Sequence, residues 1–199
     1  MIKYHIYWIL ILGAACQGAV SGNSETELVI EDRGARNESF WPTVDGFDFP
    51  VGPPDARGYY NAQAFGMNFH LGDDWNGVGG GNTDMGDSVF SIAHGVVLEA
   101  NDFGGGWGNV VRIGHKMRPS DSAIYMESLY AHLLNFGITT GDTLRRGDFI
   151  GRIGNANGAY LAHLHLEIRD TLGLPLGGGY SQHTRGYLAP TIFIKNNRP

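Results

Sequence analysis

The chain has 199 residues, 42% hydrophobic and 17% charged, which supports one domain with a real core plus some tail and excludes a disordered chain. Its 31 glycines stand well above the ordinary share of about 7% and, with no collagen period, predict many tight turns and an all-β fold. A net charge of −6 with no basic cluster excludes nucleic acid as a partner.

In chain order, the first element is residues 1–16, "MIKYHIYWILILGAAC", with one early lysine, Lys3, and an apolar run from Ile6 to Ala15. That run is too short to span a bilayer as a mature helix and predicts a secretory signal. The only cysteine, Cys16, falls at its end. A lone free thiol is unusual in an exported protein, and either lipidation of Cys16 or cleavage that discards it removes the anomaly. "LGAAC" resembles a bacterial lipoprotein cleavage box, with Gly13 third before the cysteine. The expectation is an exported protein of the periplasm or cell envelope, anchored as an outer-membrane lipoprotein if Cys16 is lipidated. Without a second cysteine there is no disulfide, so stability must come from the core.

Residues 17–40 are polar and lack a period, as a linker would. The domain is expected over 41–199. It opens with the aromatic, Pro-rich stretch 41–66, expected to wrap a sheet edge. "GVVLEA" (95–100) and "NVVRIGH" (109–115) read as strands joined by the Gly-rich hairpin connection "NDFGGGWG". "ESLYAHL" (127–133) alternates, with Leu129, Ala131 and Leu133 on one face and Ser128, Tyr130 and His132 on the other. Short apolar pieces broken by glycine follow over 143–155. Residues 162–169, "AHLHLEIR", alternate strictly, sending Ala162, Leu164, Leu166 and Ile168 into a core and leaving His163, His165, Glu167 and Arg169 on an open face. No long 3.6-residue period competes. The fold class is mainly β, an antiparallel sheet or sandwich with helix confined to short connections.

Two histidines two apart on a strand lie about 6.5–7 Å apart and can serve one site. Taken alone, such a pair reads first as an exposed strand with polar residues facing water. "NFHLGDDWNG" adds His70, with Asp74 four residues on and on the same face of an extended segment. His70, Asp74 and His165 together supply two imidazoles and one carboxylate, a normal ligand set for a catalytic Zn²⁺ with a fourth position open. These pieces are distant in sequence, so spacing does not show that they meet. His94 and His183 read as solvent-exposed. His115, at a strand end, is open to a structural hydrogen bond or a function.

At this point the chain resembles a known family, the LytM/lysostaphin-type zinc metallopeptidases that cut peptide bonds in bacterial peptidoglycan. The resemblance spans roughly residues 65–170, with an echo at "YLAPTIFI" (187–194). "HLGDD" is similar to the family's His-x-Gly-x-Asp, "LYAHL" contains its isolated histidine, and "AHLHLE" is similar to its His-x-His strand. "GDSVFSIAHGVVLEA", "GNVVRIGH" and "LRRGDFIGRIGNANG" match the connecting segments in order. The resemblance implies one Zn²⁺ per chain on His70, Asp74 and His165, and His132 and His163 as catalytic histidines. It implies a zinc-dependent endopeptidase acting on peptidoglycan peptides, with His163 as base and His132 as oxyanion stabiliser, roles the sequence does not separate. The family also includes members that lost ligands and only activate other wall enzymes; the unsubstituted set of five argues against that alternative. A binding module with incidental histidines is the other alternative, and zinc content discriminates it. "WNGVGGGNTDM" (75–85) is longer than the family pattern and is expected to form part of the cleft wall. Glu167 either supports a metal ligand from behind or partners Arg169, and the expectation is the surface pair.

Overall fold

In a computed structural model, describing residues 40–118 and 122–199, the alternation of 162–169 becomes a strand over Leu164–Arg169, two residues shorter than expected, with Ala162, Leu164, Leu166 and Ile168 fully buried. The signal segment, Cys16 and the linker as far as residue 39 lie outside the described residues. The elements are β1 Tyr59–Gln63, β2 Asp73–Gly77, β3 Ser88–Phe90, β4 Gly95–Asp102, β5 Asn109–Met117, β6 Ile124–Phe136, β7 Thr143–Leu144, β8 Phe149–Ile153, β9 Leu164–Arg169, β10 Tyr187–Leu188 and α1 Pro190–Asn196. The strands form one antiparallel sheet in the order β1-β2-β9-β6-β5-β4-β7, with β10 on β9 and β8 joining β3 and β6.

The mainly antiparallel fold agrees with the sequence reading, but the helix does not lie in a connection. Among the described residues the one α-helix follows β10. Pro190 sits in its first turn, where its missing N–H costs nothing. Thr191 donates its N–H and hydroxyl to Asp73 Oδ2 at 2.8 and 2.6 Å, tying the helix start to β2. The stretch 41–66 also differs from expectation. Thr43 bridges Lys116 of β5, but Phe47, Phe49 and Val51 enter the core. Three apolar side chains at period two bury far more surface there than at an edge. Phe47 meets Phe193 of the helix at 5.0 Å, and Phe49 meets Trp75 at 5.1 Å, centroid to centroid.

The sheet therefore has a thick apolar face and a second, polar one. Directly paired residues share a face, and Asp74 pairs with His165, Ala131 with His165, Leu129 with Glu167, and Arg112 with Leu129. Among the described residues the polar face carries a small apolar patch of Val110, Leu129 and Ala131.

On the apolar side His115 is structural. Its ring donates from Nδ1 to the His94 carbonyl at 2.8 Å and accepts at Nε2 from the Ser128 hydroxyl at 2.7 Å. His94 itself is half-buried, accepting the Arg146 N–H at Nδ1 (2.8 Å), whereas His183 is exposed as expected. Burial pushes His115 down from 6.5 to about 4, so the ring stays neutral in the folded chain. Between those values the unfolded chain binds a proton that the folded chain refuses. Stability is therefore full above pH 6.5 and falls as pH drops toward 4, by about 3 kcal/mol from this group. Denaturant titrations from pH 7 to 4.5 are expected to show a shallower fall in His115→Gln than in wild type; equal slopes would remove His115 as the cause.

Candidate metal centre and cleft

The pairing of β2 with β9 sets Asp74 directly across from His165. His70 arrives from a tight turn in which Asn68 and Phe69 both have left-handed backbones, φ 51° and 67°. Its flanking backbone pairs with the segment around Tyr180, Leu71 N–H to the Gly179 carbonyl (2.9 Å) and Ser181 N–H to the Phe69 carbonyl (2.8 Å). Gly72 is required between them. A Cβ there would lie 2.4 Å from the Leu166 carbonyl oxygen and 2.9 Å from His165 Cε1. Only a glycine lets the His70–Asp74 segment press this closely on β9. Asp73 points the other way, into the α1 contact already described and to the Phe65 N–H (2.8 Å).

Three lone-pair atoms converge on one point. His165 Nδ1 lies 2.9 Å from Asp74 Oδ1 and 3.0 Å from His70 Nε2, and His70 Nε2 lies 3.3 Å from Asp74 Oδ1. A tetrahedral ion with ligand bonds of about 2.0–2.1 Å holds its ligand atoms about 3.3 Å apart, so the cage has the right size for Zn²⁺. The charges agree. Burial alone would raise the Asp74 carboxyl, but hydrogen bonds from His165 and His70 outweigh it and hold the group well below the usual carboxylate range. Burial would lower His165, yet Asp74 and Glu167 drive it up to about 9. The site thus calls for positive charge, which a divalent cation supplies in place of a proton. Two imidazoles and one carboxylate suit zinc, and these residues fit it.

His163 and His132 stand beside this cage. His163 is joined to Gly154 by an isolated bridge, just before β9 begins. Its Nδ1 donates to the Leu161 carbonyl at 2.8 Å, leaving Nε2 3.7 Å from Asp74 Oδ1. His132 does not keep the company the alternation predicts. The pairs Val111–Tyr130 and Asn109–Leu133 bracket one residue of β5 against two of β6, a β-bulge. His132 sits in that bulge with φ 61°. Tyr130 stays in the core, while His132 is turned to the polar face, 4.8 Å from the His163 ring and 5.5 Å from that of His165. Gly154 makes room, since a Cβ there would lie 2.5 Å from the His132 carbonyl oxygen. The Trp107 carbonyl accepts both the His132 N–H (3.0 Å) and Nδ1–H (3.3 Å), which again leaves Nε2 free. Burial, with His165 and His163 nearby, pushes His132 down to about 3.

These side chains open into a cleft of about 390 Å³ walled by Trp107, Tyr160 and Tyr180. The sequence reading missed all three aromatics. Trp107 was visible as the one large residue in the "GGGWG" connection, and nothing local marked the other two. The expectation that residues 75–85 wall the cleft is corrected: none of them lines it. Asn82 instead accepts the Ala162 N–H at 2.7 Å, so this long loop braces the approach to His163 from behind. The open face expected for Glu167 and Arg169 is corrected too. They do pair, at 2.7 Å, but both are 0% exposed, roofed by the segment after β9.

Comparison with known proteins identifies the family. The sequence profile of Peptidase family M23 matches residues 73–177, more than half of the chain. No curated protein matches it in sequence. Among solved structures, the antimicrobial peptidase lysostaphin from Staphylococcus simulans is 22% identical, covering 70% of this chain and 50% of its own, with a TM-score of 0.50. A zinc-containing peptidase from Vibrio cholerae is 22% identical over 63% of this chain and 37% of its own, TM-score 0.45. The catalytic domain of the prophage-encoded M23 protein EnpA from Enterococcus faecalis is 19% identical over 73% of this chain and 95% of its own, TM-score 0.49. The chain spans half the length of the lysostaphin chain and about a third of the Vibrio chain. At 22% identity the likeness to lysostaphin speaks for the fold alone, and it is the profile match over residues 73–177 that shows the family: the chain belongs to Peptidase family M23.

Proposed function

We propose that this chain is a zinc-dependent endopeptidase that hydrolyses peptide bonds of bacterial cell-wall peptidoglycan. The observation that carries the reading is the convergence of His70, Asp74 and His165 within 3.3 Å, beside two imidazoles whose Nε2 atoms are free. Zinc held there would supply Lewis-acid activation of water and of the scissile carbonyl. The chain's own residues do the rest. His163, with Nδ1–H committed to the Leu161 carbonyl, accepts the proton of the attacking water at Nε2 and returns it to the leaving amine. His132, with Nδ1–H committed to the Trp107 carbonyl, also has only an acceptor to offer. It donates to a developing oxyanion only after gaining a proton, so proton uptake precedes any stabilisation by this ring. Trp107, Tyr160 and Tyr180 bound the space in which a peptide lies against these groups.

Digestion of purified peptidoglycan by the zinc-loaded protein, with mass analysis of the soluble fragments, tests the activity. New amino termini are expected, and their loss on adding a chelator. Fragment-free wall that still sediments with zinc-loaded protein would instead support a noncatalytic wall-binding role. Export and anchoring through lipidated Cys16 rest on the pattern of residues 1–16, and an intact mass of native protein starting downstream of Cys16 would remove the anchor.

A further inference from the structure

Behind the metal cage runs a chain of ion pairs that the peptidase reading does not use. Arg112 pairs with Glu99 at 3.1 Å and with Glu127 at 2.9 Å. Arg169 pairs with Glu127 at 3.3 Å and Glu167 at 2.7 Å, and Glu167 Oε1 accepts from His165 Nε2 at 3.2 Å. Glu127, Glu167 and Arg169 are all 0% exposed. Pairing repays the desolvation of such ions only in part, and apolar side chains of the same volume commonly serve stability as well or better. Stability alone is thus a weak account of these charges.

Their other contacts are directed. Arg112 Nη2 and Arg169 Nη1 donate to the Leu174 carbonyl at 2.9 and 3.1 Å, Arg169 Nη2 donates to the Leu176 carbonyl at 3.4 Å, and Glu127 Oε2 accepts the Gly173 N–H at 3.0 Å. The same segment then accepts the Trp107 indole N–H at Gly177 (3.0 Å), forms the cleft wall at Gly178–Tyr180, and pairs with the backbone flanking His70. One end of the segment is bound to the ions that hold His165. The other end is bound to the backbone on either side of His70.

We infer that Glu167 and Arg169 are positioning residues: Glu167 fixes the proton of His165 on Nε2 so that Nδ1 faces the metal, and Arg169 ties that carboxylate to the wall segment 173–181. This rests on the metal-site reading above. Both oxygens of Glu167 are committed, Oε1 to His165 and Oε2 to Arg169. An ionised carboxylate can only accept, so it dictates the tautomer; an amide in its place can present a donor and loses the charged pair to Arg169. The Arg169 fork spans two carboxylates, Glu167 and Glu127, and two carbonyls, which a lysine cannot reproduce.

The test is zinc affinity by chelator competition in wild type and Glu167→Gln, with amide hydrogen exchange over residues 176–181, with and without zinc, in wild type and Arg169→Lys. Glu167→Gln is expected to weaken zinc about 10–100-fold while its circular dichroism at saturating zinc matches wild type. Zinc is expected to slow exchange over 176–181 in wild type and no longer to do so in Arg169→Lys. Zinc affinity of Glu167→Gln within threefold of wild type, or wild-type exchange indifferent to zinc, overturns the inference. If Glu167→Gln does not fold, the wild-type exchange result decides by itself. A wild type that binds no zinc fails differently, removing the metal-site reading rather than its supports.

Discussion

Replacing His132 or His163 by alanine is expected to lower peptide-bond cleavage by about 10²–10⁴-fold while zinc stays bound, because positioned proton transfer contributes that much and neither ring is needed for the cage. Each ring is oriented by a backbone carbonyl, Trp107 for His132 and Leu161 for His163, and each directs a free Nε2 into the cleft. The two substitutions differ in their side effects. His132 occupies a left-handed position that histidine and asparagine tolerate better than alanine, so His132→Asn separates loss of the imidazole from backbone strain. Cleavage of purified peptidoglycan is to be measured with zinc determined in every preparation. Variants that hold zinc and cleave at the wild-type rate would take both histidines out of proton transfer. A cleavage defect in His132→Ala that His132→Asn restores would assign His132 to the bulge alone.

Much of this site could be read from the chain, and the unread parts share a physical cause. Period-two alternation placed Leu164, Leu166 and Ile168 in the core because burial of one strand face is decided locally. The same alternation misplaced His132, because a bulge is a relation between two strands and β5 lies some twenty residues away in sequence. The histidine types suggested a metal, but only the β2–β9 register brings Asp74 opposite His165. Glu167 and Arg169 looked exposed because alternation says which face a residue occupies and nothing about what covers that face. Their cover is the segment 170–180, an irregular loop with no periodic signal. Tyr160 and Tyr180 were missed for the same reason: cleft walls come from loops, whose course is set by distant anchors such as the Trp107–Gly177 hydrogen bond.

Substituting His165→Ala is expected to abolish stoichiometric zinc binding, with the loss of all activity that depends on it. With its Nε2 proton given to Glu167, His165 turns a lone pair toward the Asp74 carboxylate at 2.9 Å, and only a cation or an added proton makes that approach favourable. Removing the imidazole deletes one ligand of three and opens the cage to water. Zinc binding also stabilises the folded chain, by about 2.7 kcal/mol at a free concentration one hundred times its dissociation constant. The melting temperature of wild type is therefore expected to rise on adding zinc, and that of His165→Ala to stay where it is. Asp73→Ala is the informative contrast, since Asp73 is adjacent to a ligand yet faces α1. It is expected to keep zinc and lose stability, because the half-buried Phe65 and Thr191 N–H groups lose their acceptor at about 1 kcal/mol each. Metal analysis and melting curves on the three proteins check the pattern together. Full zinc in His165→Ala would remove His165 from the cage, and loss of zinc in Asp73→Ala with retention in Asp74→Ala would mean that the carboxylate facing the ion is Asp73.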